Sequence, residues 1–205
     1  MKSNQNVSTE KIYLWNLIGN LAFSGYSVLF TLIVTRLTSP IEADSFSLAY
    51  GIAAILVVVG MFQVRSYQAT DVSFRHSFTS YFLARCISLT LMVLVFFPYL
   101  SISKIDLNER EKVAIIALYV LFRMCEAISD LFQGLFQQHE RLDIAGKSMT
   151  IRYTFSTIFL FILLYTTKSL VSSLTLLVVL NFLFVMGYDF VKARSFERID
   201  FSSIE

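Results

Sequence analysis

Six long apolar stretches follow one another along the chain, separated by short polar connections. They cover, in order, residues of about 12–35, 44–64, 79–100, 113–137, 149–166 and 170–191. Each stretch approaches or reaches the roughly 20 residues that a helix needs to cross about 30 Å of hydrocarbon. Continuous runs such as IALYVLF do not alternate as the strands of a membrane barrel do. The pattern predicts an all-α, polytopic membrane bundle of six transmembrane helices over residues 1–191, with a tail over 192–205.

Polar residues of the fourth stretch fall on one face of the predicted helix. At 100° per residue, six side chains share an arc of about 80°. They are Tyr119, Arg123, Glu126, Asp130, Gln133 and Gln137. Ionisable groups at membrane depth are costly, and they usually face a bundle interior or a watery cavity. Arg123 and Glu126 stand three residues apart, so simple mutual neutralisation is an alternative interpretation.

Two other stretches carry similar stripes. The first places Tyr13, Asn16, Asn20, Ser24, Ser27 and Thr31 on one face, and the third places Tyr81, Arg85 and Ser88 together. Asn and Ser rows can simply bind neighbouring helices, and Arg85 can extend to the inner headgroups. Taken together, the stripes predict a polar cavity lined by the first, third and fourth helices. Its cations suit an anionic ligand such as a phosphate group, and its carboxylates suit a coupling ion.

Composition supports a membrane protein and says little about partners. Hydrophobic residues make up 56% of the chain, against about 45–50% in soluble domains. The formal net charge is only +2, so we expect no nucleic-acid partner. With the N-terminus inside, ten Lys and Arg fall in cytoplasmic segments and five outside. The positive-inside rule therefore predicts a protein of the cytoplasmic membrane with both termini in the cytoplasm.

No enzymatic or metal-binding arrangement emerges from the sequence. The two histidines, His76 and His139, are far apart, and Cys86 and Cys125 lie inside apolar stretches, so no metal-ligand spacing exists. The longest connection has about a dozen residues, which is ordinary for a connection and short for a catalytic segment. We therefore expect no cofactor and no enzyme activity, such as that of a polysaccharide polymerase or glycosyltransferase.

The segment ISDLFQGLFQQHERLDIAGKSMTIR, residues 128–152, resembles a known family. It is similar to the end of the fourth helix and the following segment of bacterial polysaccharide flippases. These transporters of O-antigen, capsule and exopolysaccharide repeat units belong to the multidrug/oligosaccharidyl-lipid/polysaccharide flippase superfamily. The motif of Asn16, Gly19 and Asn20 and the segment RSYQATD fit the same group, and the resemblance extends along nearly the whole chain.

The resemblance implies a function and roles for the polar residues. Similar proteins move an undecaprenyl-pyrophosphate-linked oligosaccharide from the cytoplasmic to the outer leaflet, through a cavity between two six-helix lobes. Arg85 and Arg123 would then hold phosphate, and Glu126 and Asp130 would couple an ion. The remaining substrate-binding candidates are Asn16, Asn20, Tyr119 and Gln133.

Six stretches correspond to one lobe of such a transporter. We therefore expect an N-terminal half that works in the bilayer with a second lobe or another copy of itself. Two alternatives stay open at this point. One is a cation-coupled small-molecule exporter of the same superfamily, and the other is a non-functional truncated product.

Overall fold

The computed structural model describes residues 8–103, 105, 109–197 and 199–200, and it contains helices and connections but no strand in that part of the chain. The helices are α1 (Thr9–Leu37), α2 (Pro40–Met61), α3 (Val64–Thr70), α4 (Phe78–Ile102), α5 (Arg110–Gln138), α6 (Leu142–Thr167), α7 (Leu170–Phe184), a π-helical turn (Val185–Phe190) and α8 (Val191–Ala193). The prediction of an all-α helical bundle is confirmed.

Five helical segments are long and apolar enough to cross a membrane. They are Thr9–Leu37, Pro40–Thr70, Phe78–Ile102, Leu142–Thr167 and Leu170–Ala193. The remaining long helix, α5, has 29 residues, but Arg123, Glu126 and Asp130 interrupt its apolar sequence. It packs against α2, α3, α4, α6 and α7, and so its charged side chains lie inside the bundle. The chain is a multi-pass membrane protein.

The second apolar stretch is not one continuous helix. Phe62 and Gln63, between α2 and α3, both adopt left-handed backbone conformations, with φ of 39° and 53°. The break leaves carbonyl groups at the end of α2 without helical partners. Arg85 of α4 satisfies two of them, since its Nη1 donates to the carbonyls of Gly60 at 2.7 Å and Met61 at 2.8 Å.

Helices α1 and α6 approach each other closely at two glycines. A Cβ added to Gly19 would lie 2.7 Å from the carbonyl oxygen of Gly146, and one added to Gly146 would overlap the backbone of Trp15. Because α6 begins at Leu142, and not near residue 149 as the apolar pattern predicts, the segment around Gly146 is helical. The contact therefore requires glycine at both positions.

Asp71 organises the connection between α3 and α4. Its carboxylate accepts hydrogen bonds from the backbone amides of Arg75 at 3.0 Å and His76 at 3.1 Å. The Tyr81 hydroxyl donates a third, at 2.8 Å. The Arg75 amide, followed by the Tyr81 hydroxyl and the His76 amide, lowers the pKa of the Asp71 carboxyl below its ordinary value.

The segment after α8 folds back onto the same end of the bundle. The Phe196 ring lies 5.7 Å from the Phe136 ring, centre to centre. The Glu197 carboxylate accepts a hydrogen bond from the backbone amide of Phe78 at 3.3 Å and lies 3.2 Å from His139 Nε2. This part of the predicted tail over 192–205 therefore packs on α4 and α5. Its residues 198 and 201–205 lie outside the described part of the chain.

Candidate functional site

A polar cavity of about 190 Å³ lies inside the bundle, between α1, α2, α3, α5 and α6. Its lining residues are Asn20, Phe23, Met61, Arg65, Glu126, Asp130, Gln133, Met149, Arg152 and Tyr153. Apolar and aromatic side chains form part of the cavity wall, and guanidinium, carboxylate and amide groups form the rest. Such groups at membrane depth mark a ligand or ion pathway more often than a structural core.

Asp130 joins two arginines from different helices. Its Oδ2 lies 2.8 Å from Arg85 Nη2, and its Oδ1 lies 3.3 Å from Arg65 Nη1. Arg65 also donates to Gln133 Oε1 at 2.8 Å. The Arg85 side chain is only 2% exposed, and so it does not extend to the headgroups. Because Arg85 also holds the end of α2, this cluster connects the broken helix to α5.

Glu126 is the second buried carboxylate, and two tyrosines and one arginine surround it. Arg123 Nη1 lies 2.5 Å from Glu126 Oε2. The Tyr153 hydroxyl donates to Glu126 Oε1, and the Tyr26 hydroxyl donates to Oε2 at 3.4 Å. Arg123 also donates to the Tyr26 hydroxyl. Arg123 and Glu126 thus form the ion pair that their spacing allows, and they do so within a network that α1, α5 and α6 share.

Arg152 is a buried cation with hydrogen-bond donors that lack partners. Its side chain is on α6, it is 2% exposed, and its Nη2 donates to the Tyr153 hydroxyl at 2.7 Å. Its guanidinium carbon lies 4.4 Å from the centre of the Tyr153 ring. Nε and Nη1 are buried and have no hydrogen-bond partner among the described residues. Buried donors without partners cost free energy, and a bound acceptor would relieve that cost.

The charges around the cavity do not balance. Four guanidinium groups, those of Arg65, Arg85, Arg123 and Arg152, face or adjoin it, against the carboxylates of Glu126 and Asp130. One further carboxyl, Asp189, interacts with Arg152 from outside the cavity wall. Positive charge therefore remains in excess even when Asp189 is counted as ionised. A buried excess of guanidinium groups favours an anionic ligand with several acceptor oxygens.

The structure brings together six of the eight candidate site residues that the sequence predicts. Asn20, Glu126, Asp130 and Gln133 line the cavity directly. Arg85 and Arg123 stand behind its wall, where they pair with the two lining carboxylates. The third predicted helix, α4, thus contributes to the site through Arg85 alone and does not line the cavity as expected.

Two candidates lie apart from the cavity. Asn16 is on the same face of α1 as Asn20, and its side-chain oxygen accepts a hydrogen bond from Asn20 Nδ2 at 3.1 Å. Tyr119 is 1% exposed and belongs to an aromatic cluster, with its ring centre 5.0 Å from that of Phe46. Asn16 therefore holds a cavity residue in place, and Tyr119 packs the core beside Arg123.

Sequence reasoning missed Arg65, Arg152 and the tyrosines at 26 and 153. Arg65 and Arg152 count among the ten cytoplasmic cations of the sequence pattern, whereas both line the cavity. A signal for Arg152 did exist, because Ser148, Arg152 and Ser156 are four residues apart and share one helical face. No comparable signal marks Arg65, because its position depends on the break between α2 and α3.

The described residues provide no cluster of side chains that could bind a metal ion. Among the described residues, no group of three or more His, Cys, Asp or Glu side chains could hold a metal ion. The carboxylates at the cavity have arginine partners instead. The arrangement is suited to binding an anion through the arginines. The carboxylates that pair with these arginines limit the affinity for the anion.

Comparisons with known proteins agree with this picture. The family model described as polysaccharide biosynthesis protein matches residues 11–202, nearly the entire chain. Neither the comparison with curated proteins nor the comparison with solved structures gave a match. The family match and the helical membrane fold indicate a transporter-type protein, and the flippase resemblance noted in the sequence is confirmed at the level of the family. The chain is therefore a membrane protein of the polysaccharide biosynthesis protein family.

Proposed function

We propose that this chain takes part in moving a lipid-linked oligosaccharide, with an undecaprenyl-pyrophosphate anchor, from the cytoplasmic to the outer leaflet. The observation that carries the proposal is the excess of guanidinium groups at a cavity inside a membrane bundle. A pyrophosphate offers several charged acceptor oxygens, which match the planar donor pattern of arginine. Family membership in polysaccharide biosynthesis supports a sugar-lipid cargo.

Arg152 and Arg123 have the central roles in this proposal. The two unpartnered N–H groups of Arg152 donate hydrogen bonds to the incoming phosphate oxygens. Arg123 is held by Glu126, which keeps its charge in place and limits how tightly it binds anions. Arg85 positions Asp130 and the end of α2, and Asn20 and Gln133 offer amide groups to sugar hydroxyls. Glu126 and Asp130 lower the anion affinity of the arginines with which they pair.

The bundle forms one lobe of the transporter in this proposal. On α1, Asn20 and Ser24 are exposed on the surface of the bundle, and Asn20 also lines the cavity. Lipid offers no hydrogen bonds to these groups, whereas a second six-helix lobe or another copy would cover them. Rocking of two lobes about the cavity would then expose it to each side in turn. Cross-linking of Ser24→Cys in membranes tests this contact.

The proposed orientation places both termini in the cytoplasm. Removing Arg65 and Arg152 from the cytoplasmic group leaves eight cations inside against five outside, which retains the same direction of bias. Reporter fusions at each end of the chain test this. A reporter that is active only outside the cytoplasm should remain silent at both ends.

A substitution series in cells tests the function. Arg152→Gln and Arg123→Gln are made in the gene at its natural locus, with Lys112→Gln as control, because Lys112 forms an exposed pair with Glu109. Loss of a charged hydrogen bond costs roughly 1.5–3 kcal/mol, or about ten- to hundredfold in affinity. We expect surface polysaccharide to fall by about that factor with normal amounts of protein in the membrane.

A binding measurement gives a readout that does not depend on cell growth. The purified chain in lipid nanodiscs is titrated with undecaprenyl pyrophosphate and with the uncharged prenyl alcohol. Only the pyrophosphate should bind, and Arg152→Gln should weaken it. Unchanged surface polysaccharide in both arginine variants would contradict the assigned roles, and dye export without any effect on polysaccharide would favour the small-molecule exporter.

A further inference from the structure

A third buried carboxyl differs from the two that line the cavity. Asp189 lies in the π-helical turn at the end of α7 and is 0% exposed. Its Oδ2 accepts a hydrogen bond from Ser129 Oγ of α5 at 2.6 Å, and its Oδ1 lies 2.5 Å from Ser148 Oγ of α6. Asp189 thus joins three helices through hydroxyl groups alone.

No cation neutralises Asp189 directly. Among the described residues, no Lys, Arg or His nitrogen lies within 4.0 Å of its carboxyl oxygens. By contrast, Glu126 and Asp130 are both ion-paired with arginines. An arginine partner keeps a carboxylate ionised, and a buried carboxyl with only neutral partners favours the protonated form.

The charged surroundings of Asp189 are sparse on every side. On α6, Arg152 acts on it from beyond ion-pair distance, and Asp143 is occupied by Arg141 at 2.7 Å. Along its own helix stand Tyr188 and Lys192, and Lys192 is exposed. Neither α5 nor α7 places a charged group against it in the described structure. Arg152 is therefore the one cation that acts on Asp189 in the described structure, and its effect is smaller than that of the Ser129 and Ser148 hydroxyls.

The hydrogen bonds also indicate where a proton would sit. Ser129 Oγ already accepts a hydrogen bond from Gln133 Nε2 at 3.1 Å, and so its own hydroxyl hydrogen is directed at Asp189 Oδ2. The contact of Oδ1 with Ser148 Oγ can run in either direction. A proton on Oδ1 would be donated to Ser148 Oγ without disturbing Ser129.

The backbone at Asp189 is unusual as well. Residues Val185–Phe190 form a π-helical turn, which is rare and is frequently found at functional sites. The wider turn continues directly into α8, and from there into the segment that packs on α4 and α5. A conformational change at this turn would therefore move α8 and the segment that packs on α4 and α5.

We propose that Asp189 is a proton-binding site, neutral in this conformation, which releases its proton when α7 separates from α5 and α6. Protonation adds one hydrogen ion from water to Oδ1, and release returns it to water. Ion-coupling roles predicted for Glu126 and Asp130 would then belong to Asp189 instead. Its use in coupling rests on the proposed transport function, whereas proton binding does not.

Infrared spectroscopy of the purified chain tests the proton directly and needs no substrate. The carbonyl stretch of a protonated carboxylic acid is recorded while the pH is raised from mildly acidic to alkaline. We expect a band that persists at neutral pH in the wild type. It should disappear in Asp189→Asn and remain in two controls, Glu126→Gln at a buried carboxylate and Glu109→Gln at an exposed one. No band at neutral pH, or a band that survives Asp189→Asn, would overturn the proposal.

Ser148→Ala provides a second variant in case Asp189→Asn does not fold. Removal of the hydroxyl that faces Oδ1 should shift the band without removing it, and an unshifted band would contradict the placement of the proton. Coupling is measured separately as surface polysaccharide in cells. Asp189→Asn should abolish export at a normal membrane level of protein, and export at the wild-type level would overturn the coupling role. If the proposed transport function is wrong, the Arg152→Gln and Arg123→Gln variants should keep surface polysaccharide at the wild-type level. That result is distinct from a failure of the infrared test at Asp189.

Discussion

A single substitution at Asp130 should destabilise the bundle strongly, because Asp130 is the counter-charge of the buried Arg85. Asp130→Asn keeps the shape of the side chain but removes the charge that holds Arg85 at 2.8 Å. Arg85 is 2% exposed and Asp130 is 15% exposed, so the loss leaves a buried cation without its counter-charge. Breaking a buried pair from one side costs about 3–5 kcal/mol. The amide oxygen still accepts one hydrogen bond, so we expect about 3 kcal/mol.

The contribution of Arg65 to that figure is small. Its side chain is 24% exposed, it lies 3.3 Å from Asp130, and it has a second acceptor in Gln133. Partly exposed pairs contribute about 0–1 kcal/mol. Reversible unfolding in mixed detergent micelles, followed by circular dichroism, measures the free energy of unfolding. Glu109→Gln is the control, because Glu109 and Lys112 form an exposed pair that should be worth less than about 1 kcal/mol.

A double-mutant cycle distinguishes this explanation from general damage to the core. Arg85→Gln also weakens the contacts with Gly60 and Met61, so it destabilises by itself. If Asp130 acts through Arg85, the double variant should lose clearly less than the two single losses added together. The reasoning would be refuted by additive losses, or by an Asp130→Asn loss no greater than that of Glu109→Gln.

The remaining predictions concern packing and pH. Gly146→Ala should cost about 1–3 kcal/mol by overpacking against the Trp15 backbone, measured by the same unfolding assay. Gly25→Ala, where a Cβ meets nothing within 4 Å, should leave the protein as stable or slightly more stable. Asp71 has a lowered pKa, with the Arg75 amide as the main cause. Its contribution to stability is thus complete above the ordinary carboxyl pKa of about 3.9 and is lost as the pH falls through the lower folded-state value. Amide hydrogen exchange at Arg75 should reveal this loss in the wild type and not in Asp71→Asn.

Local pattern was sufficient for the class of fold, an all-α membrane bundle, and for the polar face of the central helix. The 3.6-residue period alone places Arg123, Glu126, Asp130 and Gln133 on one face of α5, and they lie inside the bundle as expected. It also singles out Asn20 on α1. The same rule fails for Tyr119, whose position on the polar face does not prevent it from packing among aromatic side chains.

Other parts of the site depend on contacts between distant residues. The carbonyls of Gly60 and Met61 become free only because the chain bends at Phe62, and Arg85 reaches them from another helix. The same bend carries Arg65 into the cavity, although its sequence context is that of a polar connection. Neither fact has a local signature, because a helix break between apolar residues is stabilised by partners elsewhere in the chain.

The sequence by itself determined that this protein is a helical membrane bundle, and which faces of α1 and α5 are polar, because hydrophobic transfer and helical periodicity act on neighbouring residues. Tertiary structure decided which charges pair, which buried arginines keep unpartnered donors and which carboxyl stays without a cation. Those outcomes depend on distances between helices and on the desolvation of each group. For Arg152 and Asp189, both quantities exist only once the bundle is assembled.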